Sequence, residues 1–473
     1  MEVEIVSKEF VKPSSLSSLH PKTHHLNILD HFFPPIYVPI VLFYGPPHES
    51  REASGEPGDS KRVSEILKRS LSETLDHFYT FAGRMSDDCR SIDCECVGED
   101  VGLVFYEAKA NFKLSEYLAN PDYTLINRLI PPAKQPAQSK SPAAIFQLTR
   151  FACGGFSICA YSVHAITDGV SISVLLKHWA ATAARMVANE EEVPKDIPMP
   201  SFEAASQFPC IAEYPKEASM HFLFAPFFRE GKCGCRRFVF DSEAIAQLKA
   251  RVEAEAESKI ERLSRIEVVS AVICKSFAKA RGNKSIWASH LVDLRKRAVP
   301  PLPDNSIGNF IWQASIVFKE EGKEEGMLAS LVTRFREAMA KINGDFIKGL
   351  QGEDAATKLQ HAVKEIRSTY EVDRTENLGL TSWSGLGIYE VDFGWGKPAW
   401  ITPAGPEEPG NRFLSVTILV DTADQKGVEA WVKVGEEELQ AMENDEDLRR
   451  YASINPSPHK LNIPKAPSGA TGT

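Results

Sequence analysis

Residues 157–176 read SICAYSVHAITDGVSISVLL, and their reading decides how the chain is built. The first seven residues are apolar or small. Phe156, Ile158, Ala160 and Ser162 fall on one face of a strand, and Ser157, Cys159, Tyr161 and Val163 on the other. A period of two with two apolar faces is the mark of a strand buried on both sides. That strand stops at a lone histidine, His164. Asp168 follows four residues later, and then Gly169. The run that follows, VSISVLLKHWAATAARMV, spaces Val170, Val174, Leu175, Trp179 and Met186 as a helix does. His164 therefore stands where a buried strand turns into a helix.

Moving outward, AIFQLTRFACGGFSICAYSVH predicts two strands around the Gly154-Gly155 turn. Residues 3–11 alternate as a strand. A Gly-, Pro- and charge-rich loop precedes an amphipathic helix carrying Val63, Ile66, Leu67, Leu71 and Leu75. From about residue 190 to Arg237 the periodicity fades. Pro194, Pro198, Pro200, Pro209, Pro215 and Pro226 interrupt it, as in a long crossover. Strand and helix signals resume at RRFVFDSEAIAQLKARV. Ser264 and Glu267 have capping-box spacing at the head of a further helix, and SIWASHLVDLRKR is a strand ending in a basic turn. The organisation expected is residues 1–190, a linker over 191–236, and residues 237–473. The fold class is α/β, with mixed sheets of the α+β type.

The totals narrow the function. A chain of 473 residues exceeds one ordinary core. A net charge of −10 argues against a general nucleic-acid binder, which needs a basic field. No run reaches the ~18 apolar residues of a membrane span. The N-terminus lacks the basic head and apolar run of a secretory signal, so a cytoplasmic protein is expected. Cys89, Cys94 and Cys96 cluster, as do Cys233 and Cys235, but neither group has zinc-ligand spacing, so reduced thiols and no metal are expected. The small, polar tail at 464–473 reads as disordered.

His164 by itself has a bland reading as a satisfied structural residue. Its apolar approach, the nearby Asp168 and the permissive Gly169 favour a chemical one. An imidazole of ordinary pKa ~6.5 is suited to taking a proton from a hydroxyl at neutral pH. His164 and Asp168 as metal ligands would need a third, and none stands out. The chain holds no G-x-S-x-G, no P-loop and no G-x-G-x-x-G.

HAITDG resembles the H-x-x-x-D-G motif of the plant BAHD acyltransferases, and YEVDFGWGKP, residues 389–398, contains that family's D-F-G-W-G intact. EIVSKEFVKPSS, LNILDHFFPPIYVPIVLFY, LSETLDHFYTFAGRM, DLRKRAVPPLPDNSIGN and TSW are similar to further family stretches along nearly the whole chain. Within the family the sequence looks most like the branch of vinorine synthase and other alkaloid acetyltransferases.

The resemblance implies two chloramphenicol-acetyltransferase-like domains of similar size with an active-site channel between them. It implies transfer of an acyl group, acetyl in that branch, from acyl-CoA to a hydroxyl of a plant metabolite such as an alkaloid. It implies acyl-CoA as co-substrate and a monomeric enzyme, and no metal, nucleic acid or membrane partner is expected. His164 would be the general base in a ternary complex. Asp168 would pair with Arg295 and order the histidine turn, with Asp293 as a competitor for that arginine. Thr381 and Trp383 are oxyanion-donor candidates. Ser306, Gly308 and Asn309 belong to a loop expected near the cofactor. Asp392, Phe393, Gly394, Trp395 and Gly396 read as a packed structural turn, and Lys296 and Arg297 as solvated. Gly385 and Gly387 either widen the acceptor pocket or permit a bend. An amine acceptor, or a silent family member acting as a binding protein, is compatible with the same motifs.

Overall fold

The computed structural model describes residues 1–15, 21–33, 35–47, 57–95, 98–121, 123–190, 197–210, 228–256, 260–282, 284–319, 326–352, 354–371, 376–403 and 412–458. Cys96, Pro194, Pro215, Pro226 and the tail at 464–473 lie outside these.

Two sheets organise the chain. The first runs Val3–Val11, Leu103–Ala110, Ala144–Arg150, Phe156–Val163, Tyr37–Tyr44, Trp400–Pro403. Every residue of Phe156–Val163 is buried, as two apolar faces require. Ala144–Arg150 pairs antiparallel with it through the Gly154-Gly155 turn. The helices Pro57–Leu75 and Gly169–Val187 cover this sheet with Leu67, Leu71, Leu75, Leu175 and Trp179. The Trp179 indole joins the two helices by donating to the Leu67 carbonyl at 3.0 Å and to Ser70 Oγ at 3.1 Å.

The second sheet runs Ile311–Lys319, Ser285–Asp293, Glu376–Ser382, Val416–Asp421, Val428–Gly435, Cys233–Phe240, Ser453–Ile454. Helices Ser242–Glu255, Arg265–Arg281, Met327–Ala340 and Glu436–Glu443 enclose its core. The Ser264–Glu267 capping box is formed, with both reciprocal bonds in place.

The division expected at residue 237 is crossed by the chain. Trp400–Pro403 leaves the second half to pair with Tyr37–Tyr44, with Trp400 opposite Phe43. Ile388, Tyr389, Val391, Phe393 and Ile401 are buried in the core of the first sheet, not of the second. Apolar residues at 388–401 are too many to leave in water, and the first sheet is where the backbone brings them.

Candidate active site

A cavity of about 720 Å³ lies between the two sheets. The first half contributes Phe33, Ile36, Val38, His164 and the helix residues Val170, Ser173, Val174 and Lys177. The second contributes Asp293, Arg295 and the strand ends around Thr381, Trp383 and Ile418.

His164 reaches this cavity because the buried strand ends one residue before it. Its backbone N–H donates to the Ile36 carbonyl at 2.7 Å, which fixes the turn. The ring stacks on Phe33, 4.6 Å between centroids and 4° from parallel. Its Nδ1 is buried, faces the residue's own carbonyl and makes no full hydrogen bond. A proton on Nδ1 leaves the Nε2 lone pair free to accept another. Burial pushes the imidazole below its usual pKa. Its own carbonyl, the Asp168 charge and Asn309 pull the other way. The ring is neutral at pH 7 and can act as a base.

Asp168 does not touch the imidazole. It is the N-cap of Gly169–Val187, accepting from the Ser171 N–H and from Ser171 Oγ, both at 2.9 Å. Arg295 grips it in two-pronged fashion, Nη1 to Oδ2 at 2.8 Å and Nη2 to Oδ1 at 3.0 Å, and the Phe310 N–H adds a bond at 3.1 Å. Both partners are 1% exposed at the side chain, so this is a buried ion pair with its hydrogen bonds made. Asp293 does not displace Asp168. It accepts from the same Nη1 at 2.9 Å, so Arg295 serves both carboxylates. Five donors thus converge on Asp168.

Ser306, Gly308 and Asn309 form the loop that packs against the histidine turn. All three are buried behind the histidine turn and none lines the cavity. The Ser306 carbonyl accepts from Arg295 Nη2 at 2.9 Å, and the Gly308 carbonyl from Ser171 Oγ at 3.0 Å. Asn309 Nδ2 donates to the His164 carbonyl at 2.8 Å and to Asp30 Oδ1 at 3.0 Å. The loop braces the turn from behind. Nothing in a run of small polar residues tells which side of a turn they occupy. Arg297, read as solvated, is half-buried and donates to the Met339 and Ile342 carbonyls, whereas Lys296 is exposed at the cavity edge.

Asp30, Phe33 and Ser171 escaped the sequence reading. Asp30 is fully buried and accepts from the Asn27 N–H, the Asn309 N–H and Asn309 Nδ2. Burial pushes its carboxyl up to about 7 against those bonds. An Asp inside the apolar run LNILDHFF was the available signal, since a buried carboxylate must have partners.

Thr381 and Trp383 both line the cavity. A methyl on Gly169 would lie 3.6 Å from Trp383 Cδ1, so the indole covers the start of the helix that follows His164. Gly385 and Gly387 have φ of +79° and +67°. Their conformation demands glycine, which is the bend reading, and Gly385 also lines the cavity.

The DFGWG segment is absent from the cavity wall. Asp392 Oδ1 accepts from the Gly394 and Gly396 N–H groups at 2.8 and 2.9 Å, closing the turn. Phe393 meets Trp179 edge-on at 4.8 Å, and Trp395 meets Phe156 at 5.9 Å. The motif is a packing joint between the crossing segment and the first sheet.

The Transferase family matches residues 1–449. The chain belongs to this family, the BAHD acyltransferases, and it is an acyl-CoA-dependent acyltransferase. It is 38% identical to the epi-neemfruitin B 7-O-acetyltransferase of Melia azedarach over 97% of this chain and the whole of that one. It is 37% identical to the limonoid 7-O-acetyltransferase of Citrus sinensis, again over 97% and 100%. Akuammiline synthase 2 of Alstonia scholaris is 31% identical over 97% and 98%. Among solved structures, vinorine synthase superposes with a TM-score of 0.75 at 27% identity, over 96% of this chain and 99% of that one. The resemblance to the vinorine synthase branch holds, and limonoid acetyltransferases stand beside the alkaloid enzymes.

Proposed function

We propose that this enzyme transfers acetyl from acetyl-CoA to a ring hydroxyl of a polycyclic plant terpenoid, with His164 as general base. The observation that carries the chemistry is the state of His164. Its Nδ1 is buried, burial lowers its pKa, and the residue lines the cavity. His164 takes the acceptor hydroxyl proton on Nε2 as the oxygen bonds to the thioester carbonyl carbon. The tetrahedral oxyanion draws on Thr381 O–H and the Trp383 indole N–H. The C–S bond then breaks, and the CoA thiolate receives the proton from the imidazolium. Both substrates held in one cavity make a covalent acyl-enzyme unnecessary.

The acceptor class rests on two supports. The relatives at 38% and 37% identity are named as 7-O-acetyltransferases, of epi-neemfruitin B and of limonoids. The cavity also has the volume of a polycyclic ligand and apolar walls from Phe33, Ile36, Val38, Leu291 and Ile418. An alkaloid acceptor is the second reading, favoured by Asp293 and Asp304 on the cavity wall, which suit a protonated amine. The enzyme is proposed to act as a soluble monomer without a metal.

The test is release of CoA thiol from acetyl-CoA with terpenoid alcohols and, in parallel, alkaloid alcohols, for wild type and His164→Ala. Release that needs both acceptor and His164 supports the transferase. Release without acceptor marks a thioesterase and ends this reading.

A further inference from the structure

Helix Gly169–Val187 turns Gly169, Val170, Ser173, Val174 and Lys177 toward the cavity. Gly169 stands beside the reacting centre. Lys177 stands eight residues on, about 12 Å along the helix axis. It is half-buried, and burial lowers its ammonium pKa. A charge held in such a place needs a partner.

Three other cations have carboxylate partners, and Lys296 at the cavity edge is exposed to solvent. Arg295 holds Asp168 and Asp293. Arg265 holds Asp421 at 3.1 Å. Lys397 holds Glu390, which also accepts from Gln425 Nε2 at 2.8 Å. Lys177 forms no ion pair or hydrogen bond among the described residues, and feels Glu390 only at longer range. The backbone opposite it is cut back to leave space. A methyl on Gly387 would stand 3.0 Å from Lys177 Nζ and 3.3 Å from Cε. The ammonium thus occupies a notch in the cavity wall, with no direct partner among the described residues.

We propose that Lys177 receives the diphosphate of the CoA donor, with the pantetheine arm lying along Gly169–Val187 so that the thioester reaches His164. The assignment rests on the acyl-CoA chemistry proposed above. An extended pantetheine arm spans the distance from Lys177 to the start of the helix. The acceptor would then enter against Phe33, Ile36 and Val38, the wall supplied by the other element of this half.

Calorimetric titration of CoA, 3′-dephospho-CoA and pantetheine into wild type, Lys177→Ala and Lys177→Arg tests this without needing turnover. A charge-assisted contact predicts that Lys177→Ala raises the Kd of CoA and of dephospho-CoA roughly ten- to a hundredfold. Lys177→Arg should recover most of that loss, and pantetheine should bind all three proteins alike. Thermal unfolding of each variant checks that the helix is intact. Unchanged CoA affinity in Lys177→Ala overturns the assignment. So does a loss confined to CoA, which would move the contact to the 3′-phosphate, or an equal loss for pantetheine, which would mean a steric effect. A wild type that binds no CoA at all would instead bring down the acyl-CoA reading itself.

Discussion

Two features shape His164 as the proposed base: Phe33, which stacks on the ring and fixes its plane, and burial, which lowers the imidazole pKa. Replacing His164 with Ala should lower kcat by ~10² to 10⁴, the range of general-base catalysis, with CoA affinity kept. Because burial lowers the imidazole pKa, the base stays unprotonated below pH 6.5. The acid limb of kcat/KM against pH should therefore fall below the ordinary histidine range. A limb at or above 6.5 would contradict the buried-base reading. Asp30 acts one step further back. Its carboxylate holds Asn309, which holds the His164 carbonyl. Asp30→Asn places an amide where three N–H donors converge, and should reduce kcat several-fold with little change in the KM for acetyl-CoA. A change in KM alone would mean that Asp30 does not position the histidine.

At the scale of the element, the turn at 392–396 shows why a conspicuous motif need not touch substrate. Gly394 has φ of +97°, and a methyl there would come 2.8 Å from Val187 Cβ and 3.1 Å from the Ala184 Cα. Both contacts are on the helix that carries Asp168 at its head. Gly394→Ala should therefore lower the thermal midpoint by several degrees, as expected for ~2 kcal/mol of strain and clash. Turnover per folded molecule should change little. A large loss of kcat at full stability would assign the motif a direct part in the reaction. The strand–turn–helix at 156–187 was legible because each step has a local cause: two apolar faces, a polar turn with glycine, then a 3.6-residue period. The loop at 306–309 was not, because its partners are Asp30, Arg295 and Ser171, two of them more than a hundred residues away.

Across the whole molecule, the joint between the sheets is a buried ion pair. Arg237 Nη1 donates to Glu429 Oε1 at 2.7 Å, with side chains 2% and 5% exposed. Trp400 and Trp431 each donate an indole N–H to Glu429 Oε2 at 3.3 Å, and the guanidinium lies 5.0 Å from the Trp400 ring. Trp400 belongs to the first sheet and the other three residues to the second. Glu429→Ala should cost ~3–5 kcal/mol by leaving Arg237 buried and unpaired, and the double replacement Arg237→Met with Glu429→Leu should cost less. Chemical denaturation of the three variants measures this, and equal losses would show that the pair does not couple the sheets. Acid should also weaken the fold. His24, His31 and His178 are held down to about 4 by burial, against 6.5 in the unfolded chain. The unfolded chain binds more protons between those values, so stability falls as pH drops from 6.5 toward 4. Asp30 works in the opposite sense. It is pushed up to about 7 from 3.8, so its contribution declines as pH rises through that window. Three groups oppose one, and the thermal midpoint should decrease steadily from pH 7 to pH 4.5.

The amino-acid sequence by itself determined the buried strand ending at His164, the helix after it, the mixed α/β class and, by its resemblance, the acyltransferase family. These rest on local periodicity and unbroken motifs, both of which act over a few neighbouring residues. Only the tertiary structure decided that the segment at 388–403 builds the first sheet, that one arginine serves two carboxylates, that the 306–309 loop braces the histidine from behind, and that Lys177 faces the cavity with no direct partner among the described residues. Each depends on contacts between residues far apart in the chain. Burial and pairing at that range are properties of the packed molecule, and no local pattern encodes which distant group will arrive.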